Sequence, residues 1–304
     1  MEVYIHNLIE NIPKREKPLH VDIVMEGGAF NGGYLYGILL FIKELKKKNY
    51  LKISRISGCS IGAIVATLFF VNKLKKIELY YSELRKHLKK NLNVKISHKI
   101  ISDVIKEITN DEFNIIKKDK LFISYYNVAQ KKYVVQSTFK NKRDLKNALF
   151  RTTHFPLLID GGCLLQNRYL DGFVPHIFSD REEDAHYHIL YLTINRFSQV
   201  RGMFNTRHEK TIKGRTLEGI IEFYNFLLYK KQTKICSFVH QWTLMDYAKI
   251  RTKQMLLTIL IYLLDYLVYS YKLIYPYLHK IEIYNRLKPV LHEMYRDFVL
   301  LLCF

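Results

Sequence analysis

A serine flanked by glycines is the first feature of the sequence that could do chemistry. Residues 58–62 read Gly-Cys-Ser-Ile-Gly, a G-x-S-x-G pattern between an alternating stretch at 51–56 and an apolar stretch at 61–71. This order predicts a strand, a sharp turn and a buried helix. Gly58 and Gly62 would let the backbone bend and the helix approach, leaving the Ser60 hydroxyl exposed at a helix N-terminus. We predict that Ser60 is a nucleophile; the alternative is an ordinary Gly/Ser turn.

A glycine-rich segment lies upstream, at residues 26–33, which read EGGAFNGG. Consecutive backbone amides in such a turn can point at one oxygen, and a tetrahedral acyl intermediate needs a cradle of that kind. Nucleotide binding is the competing use, but Ala29 stands at the third position of the G-x-G-x-x-G pattern and no G-K-[ST] follows. The segment therefore favours an oxyanion-stabilising loop.

The base that would activate Ser60 has several candidates. The histidines that follow the serine and could complete a Ser-His-Asp triad are His176, His186, His188, His208 and His240. None lies in a turn motif that marks it out. Asp171 is the better candidate, because it ends a short strand before a glycine and could take the serine proton directly. Asp160, in a literal Asp-Gly-Gly, is the rival, although it follows Pro156 closely and lacks a hairpin strand before it.

An α/β fold must position these residues. The glycine-rich turn lies between a predicted strand at 21–25 and a predicted helix at 34–45, and the same order recurs around Ser60. Two such units with short connections predict an α/β domain with a largely parallel sheet. Further strands are predicted at 121–130, 132–139, 163–165, 168–170 and 186–194, and peripheral helices between 73 and 118 and at 141–151. We expect the sheet to end near Asn195.

The last third of the chain has a helical pattern. Helices are predicted at residues 217–229, 238–250, 255–275 and 281–302. We therefore predict an α/β hydrolase domain over residues 1–200 and a helical C-terminal region over residues 201–304. No Pro-, Gly- or Ser-rich linker separates the two, so the helices are expected to be packed on the domain or appended to it.

Composition limits the possible classes. The chain has 304 residues, of which 49% are apolar and 25% charged, and this excludes disordered, collagen-like and coiled-coil proteins. The net charge of +20 indicates an anionic partner, such as lipid headgroups or nucleic acid, unless it is only a solvated basic face. The four cysteines lack metal-ligand or disulfide spacing, so no metal or cofactor is predicted. Without a secretory signal pattern near Met1, a cytosolic location is expected.

The predicted helix at 255–275 is largely apolar but carries a narrow polar stripe. Its members recur every three or four residues and are Thr258, Tyr262, Asp265, Tyr269 and Lys272. Asp265 would cost about 2.5–3.5 kcal/mol at the centre of a bilayer. A helix packed on the sheet is favoured, and an interfacial helix and a membrane span stay open. Basic residues nearby could strengthen contact with anionic lipid.

In order and spacing, four motifs resemble those of the patatin-like phospholipases: EGGAFNG with Gly37, GCSIG, THFP at 153–156 and YLDG at 169–172. The resemblance covers about residues 21–178. It implies a three-layer α/β/α fold and hydrolysis of lipid acyl esters by a Ser-Asp dyad, without calcium, cofactor or catalytic histidine. The residues that it implies are Ser60 as nucleophile, Asp171 as base, and the amides of Gly27, Gly28 and Ala29 as oxyanion donors.

Three positions depart from that family's pattern. Ala29 replaces the third glycine of the first motif, Asn31 replaces a basic residue, and Phe173 replaces the second residue after the aspartate, usually a small one. The Ala29 N–H keeps the cradle if the φ angle of this residue is negative. We predict a serine acyl hydrolase that acts on lipid at an anionic membrane surface, with possible peripheral attachment. The alternative is a catalytically weak or inactive relative that binds membranes or lipid, and a nucleic-acid-binding module rests on charge alone.

Overall fold

The computed structural model describes the chain except residues 14–15, 157, 160–161, 180–186, 196–200, 208, 210, 279 and 304. Seven strands in this described part form one sheet: β1 Leu19–Met25, β2 Leu51–Gly58, β3 Lys118–Asn127, β4 Lys132–Thr138, β5 Tyr169–Asp171, β6 Tyr187–Leu192 and β7 Cys236–Phe238. The strand order is β4-β3-β2-β1-β6-β7, and β5 pairs with β3 beside this path. The four central strands run parallel, whereas β4, β5 and β7 pair antiparallel with their neighbours.

Helices flank the sheet. They are α1 Glu2–Glu10, α2 Gly32–Lys47, α3 Ile61–Phe70, α4 Lys76–Asn91, α5 Ile96–Glu107, α6 Asn110–Ile116, α7 Lys142–Thr152, α8 Lys213–Tyr229, α9 Leu244–Leu278 and α10 Glu282–Cys303. The prediction of an α/β fold with a largely parallel sheet and a helical C-terminal region is confirmed. Helix α1 was not predicted.

Helices α2 and α8 approach each other closely through glycines. A Cβ on Gly37 would collide with the carbonyl oxygen of Thr216, and one on Gly219 would collide with that of Tyr34. Beyond this crossing, Phe41 and Phe223 make an edge-to-face contact with ring centroids 5.7 Å apart. The chain after residue 201 therefore contributes a helix to the layer that covers β1 and β2.

The prediction that the sheet ends near Asn195 is wrong. Strand β7 pairs antiparallel with β6, with Cys236 opposite Leu192 and Phe238 opposite Leu190. Three residues are too few to show a period-two pattern, and Phe238 is the one residue of the three that falls in a predicted helix, at 238–250. The predicted helices at 238–250 and 255–275 are instead the single helix α9, which begins at Leu244.

The predicted hairpin before Asp171 is also smaller than expected. The stretch at 163–165 contributes only a single bridge, between Leu165 and Tyr169. Strand β5 instead pairs with β3, with Asp171 opposite Tyr125. The carboxylate candidate is thus carried by the central sheet.

Candidate active site

Ser60 lies in the sharp turn between β2 and α3. Its backbone has φ 50° and ψ −128°, a conformation that a residue with a side chain seldom adopts. The flanking glycines allow the turn, because a Cβ on Gly58 would lie 2.7 Å from the Ala63 nitrogen and one on Gly62 would lie 2.7 Å from the Glu26 oxygen. The predicted strand, turn and helix are present, and they leave Ser60 half-buried at the N-terminus of α3.

A buried threonine holds this turn from the side. The Ser60 N–H donates to Thr152 Oγ1 at 2.8 Å, and Thr152 Oγ1 donates to the Ser124 carbonyl oxygen at 2.6 Å. Thr152 ends helix α7 and is fully buried. No sequence pattern connects Thr152 with Ser60, because the two residues lie 92 positions apart and Thr152 is outside every motif.

Asp171 is placed beside Ser60 by the pairing of β5 with β3. Its N–H donates to the His154 carbonyl oxygen at 3.2 Å, and its Oδ1 accepts the N–H of Phe173 at 3.1 Å. Gly172 follows because a Cβ there would collide with the Ser124 carbonyl oxygen. Only 3% of Asp171 is exposed.

The environment of Asp171 suits proton transfer at neutral pH. Burial raises the pKa of Asp171 from 3.8 to about 7, and hydrogen bonds from the Ser60 hydroxyl and from the N–H groups of Phe173 and Gly172 lower it only in part. A general base works best when its pKa lies near the operating pH. The Ser60 side chain is thus near enough to affect the pKa of a carboxylate of suitable basicity.

The glycine-rich loop packs against the serine. A Cβ on Gly27 would lie 2.8 Å from the Ser60 Cβ. The Gly27 N–H faces the sulfur of Cys59. Burial raises the pKa of the Cys59 thiol well above its usual value, and the Gly27 N–H offsets this rise only in part. Within the described residues, the N–H groups of Gly28 and Ala29 donate to no backbone acceptor. No backbone acceptor in the described residues thus competes for these two N–H groups.

The φ angle of Ala29 is positive, and the negative φ expected for a residue that keeps the oxyanion cradle is not found. Its φ is 46°, and that of Phe173 is 50°. Both residues carry a side chain in the left-handed region that glycine occupies at little cost. Together with Ser60, they make three strained residues around one site, which is where such strain tends to persist.

Asn31 belongs to a buried polar network that includes a distant arginine. Its Nδ2 donates to the Ile194 carbonyl oxygen at 2.8 Å, and its Oδ1 accepts from Arg215 Nη1 at 2.6 Å. Arg215 lies on helix α8, is only 4% exposed, and forms an ion pair with Glu209 at 2.8 Å. A guanidinium thus reaches the glycine-rich loop from outside the motif region. No sequence signal connects Arg215 with a loop 184 residues earlier.

Glu26 anchors the start of the same loop to the end of β6. Its carboxylate accepts hydrogen bonds from the Tyr191 hydroxyl, the Thr193 hydroxyl and the N–H groups of Ile194 and Asn195 at 2.6–3.2 Å. The ammonium group of Lys253, on helix α9, completes the set at 3.0 Å. Hydrogen bonds from β6 and the segment after it, together with the ion pair to Lys253, therefore hold the start of the loop in place.

The histidine candidates are not brought to Ser60 where the structure describes them. Burial and the nearby Arg55 lower the pKa of His176, whose ring lies beside Phe122. His188 and His240 face each other across β6 and β7, with their Nδ1 atoms 3.4 Å apart. The candidates His186 and His208, and the rival base Asp160, lie outside the described residues. In the described chain, no three His, Cys, Asp or Glu side chains converge as a metal site.

Comparison with known proteins assigns the family. The model of the patatin-like phospholipases matches residues 23–208. The chain belongs to the patatin-like phospholipase family. Among curated proteins, none matches the chain. Among solved structures, VipD from Legionella pneumophila is similar at 14% sequence identity with a TM-score of 0.34, over 59% of this chain and 52% of VipD. The chain thus matches about half the length of VipD.

The patatin-like phospholipases, to which the chain belongs, are a family of lipid hydrolases. The matched range contains the glycine-rich loop, Ser60 and Asp171, whereas Arg215 and Lys253 lie beyond it. The strained φ angles of Ala29 and Phe173 occur where the family pattern has glycine or another small residue.

Proposed function

We propose that this protein is a serine acyl hydrolase that cleaves lipid acyl esters, with Ser60 as nucleophile and Asp171 as base. The observation that carries the proposal is the burial of the Asp171 carboxylate, whose pKa is raised to about 7 and is lowered in part by the Ser60 side chain. The strained turn that presents Ser60 and the glycine-rich loop packed against it support the same chemistry.

The reaction proceeds through an acyl-enzyme. Asp171 takes the proton of Ser60 as Oγ attacks the ester carbonyl carbon, and the negative oxygen of the tetrahedral intermediate accepts hydrogen bonds from Gly28 and Ala29. Asp171 then returns the proton to the departing alcohol. A water molecule, deprotonated by Asp171, attacks the acyl carbon, the acyl–Oγ bond breaks, and Asp171 returns the proton to Ser60 Oγ as the fatty acid leaves. For Gly27, the predicted role as a third donor requires its N–H to turn away from the Cys59 sulfur.

The proposed reaction takes place at an anionic membrane surface. With a net charge of +20, the protein is attracted to anionic membrane surfaces, where lipid substrates are concentrated. We propose an intracellular enzyme in peripheral contact with such a surface. Binding of nucleic acid would rest on charge alone.

Labelling with a fluorophosphonate tests the activity directly, because only an activated serine reacts with this probe. The purified chain is expected to become labelled at Ser60, as mapped by mass spectrometry, and to release fatty acid from phospholipid vesicles. Heat-unfolded protein is the control and should remain unlabelled. A folded protein that binds lipid vesicles without labelling and without releasing fatty acid would instead support the alternative, an inactive lipid-binding relative.

Arg215 is part of the proposal as a positioning residue for the glycine-rich loop. Removing it takes away a charged hydrogen-bond donor to the buried Asn31 Oδ1, and a lost buried hydrogen bond costs about 1–3 kcal/mol. We expect Arg215→Ala to lower kcat about 10- to 100-fold with little change in KM. Steady-state kinetics on a soluble ester would show this split.

Two further variants separate positioning from loss of stability. Lys213→Ala removes the same charge from an exposed site on the same helix and should keep wild-type kinetics. Asn31→Arg in the Arg215→Ala background puts a guanidinium back into the network and should restore part of kcat. Wild-type turnover in Arg215→Ala would contradict the role.

A further inference from the structure

Helix α9 makes polar contacts with the rest of the protein along part of its length and leaves many large apolar side chains exposed. It spans 35 residues and is, in the described part of the chain, the helix long and apolar enough to cross a membrane by length and composition alone. The helices of soluble proteins normally bury the apolar face and expose the polar one. The exposed apolar side chains of α9 therefore indicate a partner outside this chain.

The inward side is tied to the catalytic fold by polar contacts. Lys253 Nζ lies 3.0 Å from Glu26 Oε1 and 3.2 Å from the Asn195 carbonyl oxygen. Two turns later, the hydroxyl oxygens of Tyr262 and Tyr126 lie 2.9 Å apart. Of the polar stripe recognised in the sequence, Thr258 and Asp265 are half-buried, whereas Tyr262, Tyr269 and Lys272 are exposed. Ile261 is buried beside the stripe.

The outward side is a continuous apolar surface. Its exposed side chains recur at helical spacing and are Met255, Leu256, Ile259, Leu260, Leu263, Tyr266, Leu267, Leu273 and Ile274. Each of them is 46–68% exposed. Helix α10 continues this character with exposed Ile283, Leu287, Val290, Leu291 and Met294. An exposed apolar area of this extent marks an interaction site.

Helix α9 also contacts residues that adjoin the candidate active site in the chain. Lys253 contacts the glycine-rich loop through Glu26, and Ile261 packs with Leu170, the residue before Asp171. Eight residues of helix span about 12 Å, so this stretch reaches from the oxyanion side of the site to the base side.

We propose that the outward face of α9 docks on an anionic lipid bilayer and lies in its interface. This inference rests on the proposed function, because it names the surface by which the enzyme reaches its substrate. Exposed Lys249 and Arg251 lie at the start of the apolar stretch, and the net charge of +20 complements anionic headgroups. The inward contacts of Lys253 and Tyr262 hold the helix parallel to the protein surface, which fits interfacial docking and opposes a membrane span.

Vesicle sedimentation tests the docking surface independently of catalysis. All proteins carry Ser60→Ala, so that no lipid is consumed, and are mixed with vesicles of phosphatidylcholine with or without phosphatidylserine. The docking variant combines Leu256→Ser, Ile259→Ser and Leu263→Ser, and it should reduce binding to phosphatidylserine vesicles about 10- to 100-fold. The matched control combines Leu79→Ser, Ile115→Ser and Val135→Ser, which are exposed apolar residues elsewhere, and should bind as its parent does.

The other outcomes overturn the inference. Equal binding by the docking variant and its parent, or equal loss in the control, would show that the face of α9 is not the docking surface. Loss of a dimer in size-exclusion chromatography, with vesicle binding intact, would assign the face to a second copy of the chain. Fluorophosphonate labelling of the wild-type chain reports on the proposed function separately, so failure of one claim does not obscure the other.

Discussion

Replacing Ser60 with alanine is expected to lower the rate of lipid ester hydrolysis by about 10⁴- to 10⁶-fold, the range found when an acyl-transfer nucleophile is removed. The variant loses the attacking oxygen and cannot form an acyl-enzyme. It keeps the Cβ that packs against Gly27, so the turn should stay intact. The kcat/KM for a p-nitrophenyl ester, measured beside the midpoint of thermal unfolding, reports both quantities.

A serine elsewhere provides the comparison. Ser137, on strand β4, hydrogen-bonds to Asp119 at 3.0 Å. Ser137→Ala should therefore leave turnover unchanged. If Ser60→Ala remained folded and kept wild-type turnover, Ser60 would not be the nucleophile and the proposed mechanism would fail.

Replacing Asp171 with asparagine is expected to lower turnover by about 10²- to 10⁴-fold, the usual contribution of a general base. The amide keeps the size of the side chain and can still accept the N–H of Phe173, but it cannot take the serine proton. The wild-type rate should fall as pH drops through about 7, because protonation of Asp171 removes the base. Any rate left in the variant should lack this dependence, and rates across the pH range for both proteins test the assignment.

The same substitution should stabilise the fold at high pH. Burial raises the pKa of Asp171 from 3.8 to about 7, so the folded protein binds this proton more tightly than the unfolded chain does. The wild-type fold then loses stability as pH rises from about 4 to about 7, by up to roughly 4 kcal/mol. Asp171→Asn should recover this free energy of unfolding at about pH 8 and show no gain near pH 4.

Denaturant unfolding at the two pH values measures that difference. Asp111→Asn, at an exposed carboxylate on helix α6, is the control and should change stability little at either pH. A variant that loses activity without gaining stability at high pH would show that Asp171 is less desolvated than its position indicates. Loss of a base and gain of stability together would mark a residue kept for chemistry at a cost to the fold.

The parts of this protein that depend on neighbours in the chain could be predicted from its sequence. Apolar periodicity over 34–45 and 51–71 indicated the first strand–turn–helix units, because a helix or strand buries one face along its own length. Glycines on both sides of Ser60, and the glycine after Asp171, were informative for the same reason. Each is required by the local backbone path, as their close approaches to neighbouring carbonyl or amide groups show.

Only the tertiary structure decided which distant groups complete the site. Thr152, Arg215 and Lys253 contact their partners across 92, 184 and 227 residues, and no local pattern encodes such a pairing. The positive φ of Ala29 likewise follows from how the loop packs and not from its own residue type. For helix α9, the polar stripe was visible in the sequence, but its direction was not. Periodicity shows that a helix has two faces, and only the packing of the whole chain determines which one meets the protein.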